Sequence, residues 1–169
     1  MTDRTIHLIE SLGLTAHPEG GYFVEIFRSE EQVTPQDKRG NRSALTTIFF
    51  LLTAGQTSRL HMVKSDEVWH FMEGDPLELF EIGADLTTRK THLLDSMDSQ
   101  RDGTQPVHII KANSWQAARS TGAYTLVGCT VGPGFDFEDF EMASSNSEKE
   151  RAITARFPDW AHLVSALIA

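Results

Sequence analysis

Cysteine is nearly missing from this 169-residue chain, which carries only Cys129. A single thiol excludes both an internal disulfide and a cysteine-rich metal cluster. Positive charge is also scarce, because 15 Lys and Arg stand against 24 Asp and Glu and leave a net charge of −9. That balance argues against nucleic acid and against an anionic membrane surface as partners, since both are bound by basic protein faces.

Long apolar runs and targeting signals are scarce as well. No run approaches the roughly 18 residues of a membrane span, and the start, Met-Thr-Asp-Arg-Thr, does not resemble a signal peptide. What is present is a hydrophobic content of 40%, which is too high for a disordered chain. We therefore expect a single cytoplasmic domain over residues 1–169.

Short strand-like segments dominate the middle of the sequence. Residues 45–53 form a β-branched and aromatic run without a breaker, which predicts a buried strand. Similar segments recur at roughly 8–12 residues, separated by turns, and no helical pattern lies between them. This spacing is typical of an antiparallel sandwich or barrel rather than of βαβ units. The other predicted strands span residues 22–29, 59–63, 67–72, 77–82, 89–94, 107–110, 115–119 and 124–131.

Helical patterns flank the strands on both sides. Residues 2–14 carry a capping Thr2, an apolar stripe and a terminating Gly13. Ser147 and Glu150 form a capping box that opens a helix to about residue 156, and an apolar stripe after residue 158 predicts another. We thus expect a barrel over about residues 20–142 and a helical tail over about 147–168, with a mobile polar loop at 30–42.

Residues 55–74 combine ionisable and aromatic side chains on two adjacent predicted strands. If these strands pair as a hairpin, their two-residue period places His61 and Val63 on one face. Glu67 and Trp69 can share that interior. An imidazole and a carboxylate that project together into a closed barrel form either a metal site or an acid/base pair, because neither is cheap to bury alone.

This segment resembles the first motif of the cupin superfamily, whose spacing is matched by Gly55, His61, Glu67 and Gly74. A narrower resemblance, to an uncharacterised group sometimes called the fifth cupin family, covers about residues 12–142. It rests on residues 17–22, 65–70, 115–116 and 128–135, followed by Phe137 and Phe140. The resemblance implies an all-β double-stranded β-helix, or jelly-roll barrel, with a site inside it, similar in shape to the dTDP-sugar epimerase branch of cupins.

The resemblance also implies where a metal would bind. Cupins hold iron, manganese, zinc or nickel with three histidines and one glutamate, and here Val63 and Gln116 stand at two of the histidine positions. The ligands left are His61, Glu67 and the amide oxygen of Gln116. Because catalytic metal sites generally keep three strong protein ligands, we expect no tightly held cofactor and at most a weakly bound divalent metal.

On this basis His61 and Glu67 are the predicted acid/base pair of an isomerase or epimerase that acts on a sugar-like or small polar molecule. A non-catalytic small-molecule binding protein and a metal-dependent oxygenase or decarboxylase stay open as alternatives. Gln116 is expected to orient the ligand, and a homodimer formed by sheet packing is the default assembly. The weaker candidates for ligand contact are Trp69, Arg59, Tyr22, Glu25, Arg28 and His70.

Strand parity and spacing give the remaining expectations. Alternation places Glu25 and Arg28 on opposite faces of their strand. It places His70 on the face opposite Glu67, where it is expected to line a subunit interface as readily as the pocket, and a bulge would change that face. Cys129 is interpreted as a small buried hydrophobe. The other histidines show no ligand spacing and are interpreted as surface or packing residues: His7, His17, His92, His108 and His162.

Overall fold

The computed structural model describes residues 1–168. Helix α1 (Asp3–Leu12) begins at Thr2, whose hydroxyl accepts a hydrogen bond from the amide of Thr5. The helix ends at Gly13, which adopts a left-handed conformation with φ of 68°. Both helix-end predictions are confirmed.

The strands follow α1 and are named in chain order. They are β1 (Thr15–Ala16), β2 (Tyr22–Arg28), β3 (Gln32–Val33), β4 (Arg42–Ser43), β5 (Thr46–Thr53), β6 (Thr57–Val63), β7 (Asp66–Gly74), β8 (Leu77–Ile82), β9 (Arg89–Leu94), β10 (Thr104–Gln105), β11 (Val107–Ile110), β12 (Trp115–Ser120), β13 (Tyr124–Gly132) and β14 (Phe140–Met142). A 3₁₀ turn (Phe137–Asp139) precedes β14, and α2 (Glu148–Arg156), a second 3₁₀ turn (Pro158–Trp160) and α3 (Ala161–Ile168) close the chain.

Two six-stranded sheets form the jelly roll. The first sheet has the order β1-β2-β5-β13-β7-β11, and the second sheet has the order β10-β9-β8-β12-β6-β14. Their hydrogen-bonded neighbours run antiparallel, apart from the parallel pair β9 and β10. The all-β cupin-like architecture with terminal helices agrees with the sequence-based expectation.

The hairpin pairing of β6 and β7, on which the sequence argument was conditional, does not occur. β6 pairs with β12 and β14 in the second sheet, whereas β7 pairs with β13 and β11 in the first. The backbone around the connection bonds elsewhere, because the Lys64 amide donates to the Asp139 carbonyl and the Val63 carbonyl accepts from the Asn113 amide. His61 and Glu67 therefore project toward each other from opposite sheets instead of side by side from one.

Three clusters of buried hydrophobic side chains pack against the sheets, and two of them fix the layers of the fold. Between the sheets, Phe50, Trp69 and Leu79 belong to a fully buried cluster. On the outer face of the second sheet, Ile153 of α2 and Val164 of α3 pack against strand residues. The helical tail thus covers a sheet face. None of the helices within residues 1–168 is long and apolar enough to cross a bilayer.

The segment at residues 30–42, predicted as a mobile loop, contains β3, which pairs with β4. Its end is anchored at Arg42, whose Nε donates to Oδ2 of the buried Asp139 at 2.8 Å. Arg39 Nη1 donates to the same oxygen at 3.1 Å. These bonds hold the 3₁₀ turn that precedes β14 and thereby fix the segment that borders the cavity described below.

We expect Ile153→Ala to lower the free energy of unfolding by about 3 kcal/mol, because truncating a fully buried isoleucine leaves a cavity under α2. Urea denaturation measures the change. The matched control is Ile6→Ala in α1, where the side chain is 42% exposed and the expected loss is below about 1 kcal/mol. Equal losses in the two variants would show that the tail does not pack on the sheet.

Candidate functional site

A cavity of about 260 Å³ opens between the two sheets on the side of β2, β5 and β6. Aromatic side chains cover much of its wall, namely Phe23, Phe50, Phe135, Phe137 and Phe140. Its ionisable side chains are His17, Glu19, Glu25, Arg28, His61, Glu67 and Asp136, with the thiol of Cys129 beside them. The cavity combines apolar walls with a few convergent polar groups, which is typical of a small-molecule site.

His61 presents a free ring nitrogen to the cavity. The residue lies in β6 and is 2% exposed. Its Nδ1 lies 2.7 Å from the carbonyl oxygen of Arg59, so this nitrogen carries the proton and donates it to the carbonyl. In the neutral ring Nε2 then keeps its lone pair, and it lies 3.4 Å from Oε2 of Glu19. Burial lowers the pKa of His61, against the opposing charge of Glu67, and favours this neutral form.

Glu19 is a buried carboxyl that was not among the predicted site residues. It lies in the turn before β2, and Gly20 lets this turn lie against β6, because a side chain at that position would collide with the Thr57 carbonyl oxygen. Ser58 Oγ donates to Glu19 Oε1 at 2.8 Å. Burial raises the pKa of Glu19 to about 7, although the neighbouring His17 lowers it. The signal was present in the glycine-rich turn motif, but only the fold shows where the turn lies.

His17 borders the same carboxyl group. Its Nδ1 accepts a hydrogen bond from the Glu19 amide at 3.3 Å and lies 3.7 Å from Glu19 Oε2. The ring packs edge-on against Phe23 with centroids 4.5 Å apart. Burial lowers the pKa of His17. The interpretation of His17 as a packing residue is therefore incomplete, since the ring packs but also lines the cavity.

Glu67 projects into the cavity from β7, in the sheet opposite His61. The side chain of Gln116 donates from Nε2 to Glu67 Oε2 at 2.6 Å. Burial raises the pKa of Glu67 to about 7, whereas His61 opposes the rise and the hydrogen bonds of Gln116 and Cys129 also lower it. Burial likewise raises the pKa of the Cys129 thiol well above its usual range, which keeps it protonated.

Gln116 and Trp69 lie behind the cavity wall. The indole nitrogen of Trp69 donates to Gln116 Oε1 at 3.0 Å, so the amide of Gln116 is engaged at both ends. Each of the two residues is 1% exposed, and neither borders the cavity. The structure therefore places them where they can hold Glu67 in position, and not where a ligand in the cavity would touch them.

A β-bulge brings Arg28 to the cavity mouth. The register of β2 against β5 shifts between Glu25 and Phe27, which turns Arg28 onto the same face as Glu25. Arg28 then forms a two-point ion pair with Glu25, with nitrogen–oxygen distances of 2.9 and 2.7 Å. The prediction from simple alternation, that Glu25 and Arg28 lie on opposite faces, is wrong for β2.

Residues 6–143 match the protein family described as Cupin superfamily (DUF985). The chain belongs to this cupin family. The match covers most of the sequence and includes every residue of the cavity described above.

Solved structures of similar proteins share the fold over nearly the whole cupin chain. A hypothetical protein from Leishmania major is 28% identical, with a TM-score of 0.84, and the alignment covers 99% of this chain and 98% of that one. A protein from Shewanella oneidensis is 29% identical, with a TM-score of 0.82 and coverage of 100% and 99%. No curated protein matches the chain.

Oxalate decarboxylase from Bacillus subtilis is a more distant structural neighbour. It is 13% identical with a TM-score of 0.55, over 90% of this cupin and 36% of the decarboxylase chain. At that identity the similarity establishes the fold alone.

The other predicted contact residues of this cupin lie outside the cavity. Tyr22 packs toward α1 with the cluster around Leu8. Arg59 lines a separate, more open depression next to the turn before β2, where its Nη2 donates to the Pro18 carbonyl at 2.6 Å. His70 pairs with Gly128 of β13. A side chain added at Gly128 would contact Met72, so this is the outer face of the first sheet. The position of His70 agrees with strand parity.

The donor set of the cavity does not fit the metal site of other cupins. Val63 offers an apolar side chain, and both polar atoms of Gln116 are already engaged. Within residues 1–168, the group of three side chains whose ligand atoms all lie within 4.8 Å of one another is Glu81, His92 and His108, which lie elsewhere. The cavity thus lacks the three-histidine donor set, and the group of Glu81, His92 and His108 lies outside it.

The pKa of Glu67 gives a pH-dependent stability prediction. Its value of about 7 in the folded protein exceeds the value of 4.5 expected for the unfolded chain, so the folded state binds more protons between these values. This contribution to stability is complete below pH 4.5 and is lost as the pH rises through about 7. We expect Glu67→Gln, which cannot ionise, to gain about 2–3 kcal/mol relative to wild type between pH 5 and pH 8.

Urea denaturation of both proteins at the two pH values measures this gain. Glu10→Gln, at an exposed position in α1, is the control and is expected to follow wild type. A stability difference between Glu67→Gln and wild type that does not change with pH would show that Glu67 ionises normally in the folded protein.

Proposed function

We propose that this cupin is an isomerase or epimerase that moves a proton on a small neutral, sugar-like molecule. The observation that carries the proposal is the pair of buried carboxyl groups, Glu19 and Glu67, whose pKa values are raised to about 7 on either side of the His61 imidazole. Groups with pKa values near the working pH are the most effective general acids and bases.

Each group has a distinct part in the proposed proton transfer. His61 is the base, because its Nε2 lone pair faces the cavity and its other nitrogen is fixed by the Arg59 carbonyl. Glu19, 3.4 Å from that nitrogen, exchanges the proton with it. Glu67 is the acid on the opposite wall, held by Gln116.

The opposite placement of His61 and Glu67 supports epimerisation in particular. An epimerase removes a proton from one face of a carbon atom and returns a proton to the other face. His61 belongs to the second sheet and Glu67 to the first, so a ligand between them is accessible from both faces. A pair on one hairpin would reach one face only.

The cavity wall favours a neutral ligand. Glu19, Glu25, Glu67 and Asp136 supply acceptors for hydroxyl groups, while the guanidinium of Arg28 is already paired with Glu25. An anionic group would therefore meet more repulsion than attraction. The phenylalanine rings can pack on the apolar face of a sugar ring. A volume of about 260 Å³ suits a ligand the size of a monosaccharide or smaller.

Solvent deuterium exchange tests the reaction. The full chain is incubated in D₂O near neutral pH with a panel of neutral aldoses, ketoses and small hydroxy ketones, and ¹H NMR follows exchange of the C–H next to the carbonyl. We expect one class of compound to exchange, and we expect His61→Asn and Glu67→Gln each to lower the rate by at least about 10²-fold.

Glu141→Gln, an exposed carboxylate on β14, is the matched control and should retain the wild-type rate. Thermal shift with the same panel separates the alternatives. A compound that raises Tm without exchange would indicate a binding protein, and exchange that a chelator abolishes would indicate a metal-dependent enzyme. Either result would contradict the proposed reaction.

We further infer that two copies associate through the outer face of the first sheet. Met72, Val107 and Ile109 are 45%, 39% and 45% exposed there, which is unusual for three neighbouring apolar side chains. Sedimentation equilibrium is expected to give twice the chain mass for wild type and the chain mass for Ile109→Asp. A monomeric wild-type protein would contradict this assembly.

A further inference from the structure

A second cluster of ionisable side chains lies outside the cavity, at the β9–β11 side of the sandwich. Glu81 comes from β8 and His92 from β9 in the second sheet, whereas His108 comes from β11 in the first. Each lies two residues along its strand from a member of the buried cluster between the sheets, such as Leu79 or Ile110, and therefore faces the interior as that residue does. Three strands from both sheets thus converge on one point.

The ligand atoms of the cluster are close together. His92 Nε2 lies 2.8 Å and His108 Nε2 3.6 Å from the same oxygen, Oε2 of Glu81. The two imidazole rings are stacked, with centroids 3.5 Å apart and planes inclined by 26°. Tetrahedral zinc with nitrogen ligands at its usual bond lengths separates neighbouring ligand atoms by roughly 3.3 Å. The two nitrogen–oxygen distances lie on either side of this value.

One ligand atom of the cluster has no hydrogen bond. His108 Nε2 is buried and has no hydrogen-bond partner. A buried polar atom without a partner costs free energy. Two imidazolium ions stacked at this distance would repel each other, so the two rings cannot both be charged at low cost. A single cation between the two nitrogens and the carboxylate would satisfy all three groups.

We propose that Glu81, His92 and His108 bind a divalent transition metal of the zinc class. Two imidazoles and one carboxylate are a ligand set that zinc sites use, and they leave a fourth position for water. The side chains are 20%, 15% and 17% exposed, so the cluster lies near the surface although Nε2 of His108 is itself buried. The site uses none of the residues at cupin motif positions, and it does not depend on the proposed isomerase function.

A neighbouring side chain supports the geometry of His108. Gln105 Nε2 lies 2.8 Å from His108 Nδ1. Rotation of the amide by 180° brings its oxygen to the same place, which accepts a proton from Nδ1 and leaves the Nε2 lone pair for the metal. A second shell of this kind fixes the ring orientation in known zinc sites.

Lys90 is the cation that would compete for the carboxylate. It lies opposite Glu81 in the register of β8 and β9. Its side chain is exposed, and no ion pair joins it to Glu81 among the residues that the structure describes. The carboxylate is therefore directed to the imidazoles and not to the ammonium group.

Metal binding would join the two sheets to each other. The metal would link β8 and β9 to β11. A ligand that binds only the folded state raises its stability in proportion to the logarithm of its concentration. Zinc at about 100 times its Kd should therefore raise Tm by about 5–10 °C in a chain of this length.

The test is a zinc titration of the full chain without a polyhistidine tag, by calorimetry and by thermal unfolding. Wild type is expected to bind one Zn²⁺ with the rise in Tm described above. His92→Gln, His108→Gln and Glu81→Gln are each expected to weaken binding at least 10-fold. Glu81→Gln keeps the side-chain shape, so it decides the question should a histidine variant fail to fold by circular dichroism.

Two controls locate the metal. His162→Gln changes an exposed histidine on α3, and His61→Asn with Glu67→Gln changes the cavity. Both are expected to bind zinc as wild type does. Absence of saturable binding to wild type, loss of binding in the cavity variant, or unchanged binding in the three cluster variants would each overturn the proposal.

Discussion

The hydrogen bond from the Gln116 amide to the Glu67 carboxyl joins the two sheets beneath the cavity. Trp69, two residues from Glu67 on the same strand, holds the other end of that amide. With both ends engaged, the amide has one orientation and the carboxyl has one position. Burying a carboxyl costs free energy in its charged form, and the raised pKa of Glu67 is the expression of that cost. The proposed proton transfer depends on this arrangement, because the same burial that disfavours the charge raises the pKa of Glu67 to about 7.

Jelly-roll topology converts a short stretch of sequence into two walls. His61 and Glu67 are close in sequence, yet the connection at Lys64 carries the chain from the second sheet to the first. Residues on adjacent antiparallel strands of one sheet approach a ligand from one side only. Strands in facing sheets can approach it from both sides, and Glu19 reaches the same place from a turn of the first sheet. The placement of His61 and Glu67 on facing walls is thus a property of the fold and not of the motif spacing alone.

Local patterns predicted the local structure well. The alternation of residues 77–82, 89–94 and 107–110 predicts strands with the bounds that the structure has, and Thr2 and Gly13 cap α1 as expected. Periodicity and capping depend on nearest neighbours, which the sequence displays directly. The resemblance to cupins then supplied the location of His61 and Glu67 inside one barrel.

Features that depend on pairing across the sheets were missed. The hairpin assignment failed because period two says which face a side chain occupies but not which strand lies beside it. The bulge after Glu25 inserts one residue and thereby reverses the face of Arg28, which no alternation rule detects. Glu19 meets His61, and Glu81 meets His92 and His108, from separate strands or turns, so spacing along the chain does not show that these side chains come together.

Gln116 also separates the two polar sites. It lies in register between His61 on β6 and Glu81 on β8, so the three side chains share one face of the second sheet. Its amide accepts a hydrogen bond from Trp69 and donates one to Glu67, and among the described residues it forms none with Glu81. A proton or a cation on the Glu81 side therefore has no hydrogen-bonded path to Glu67 through this residue. Any coupling between the two sites must act through the packing of the strands, which close-packed apolar side chains such as Leu79 resist.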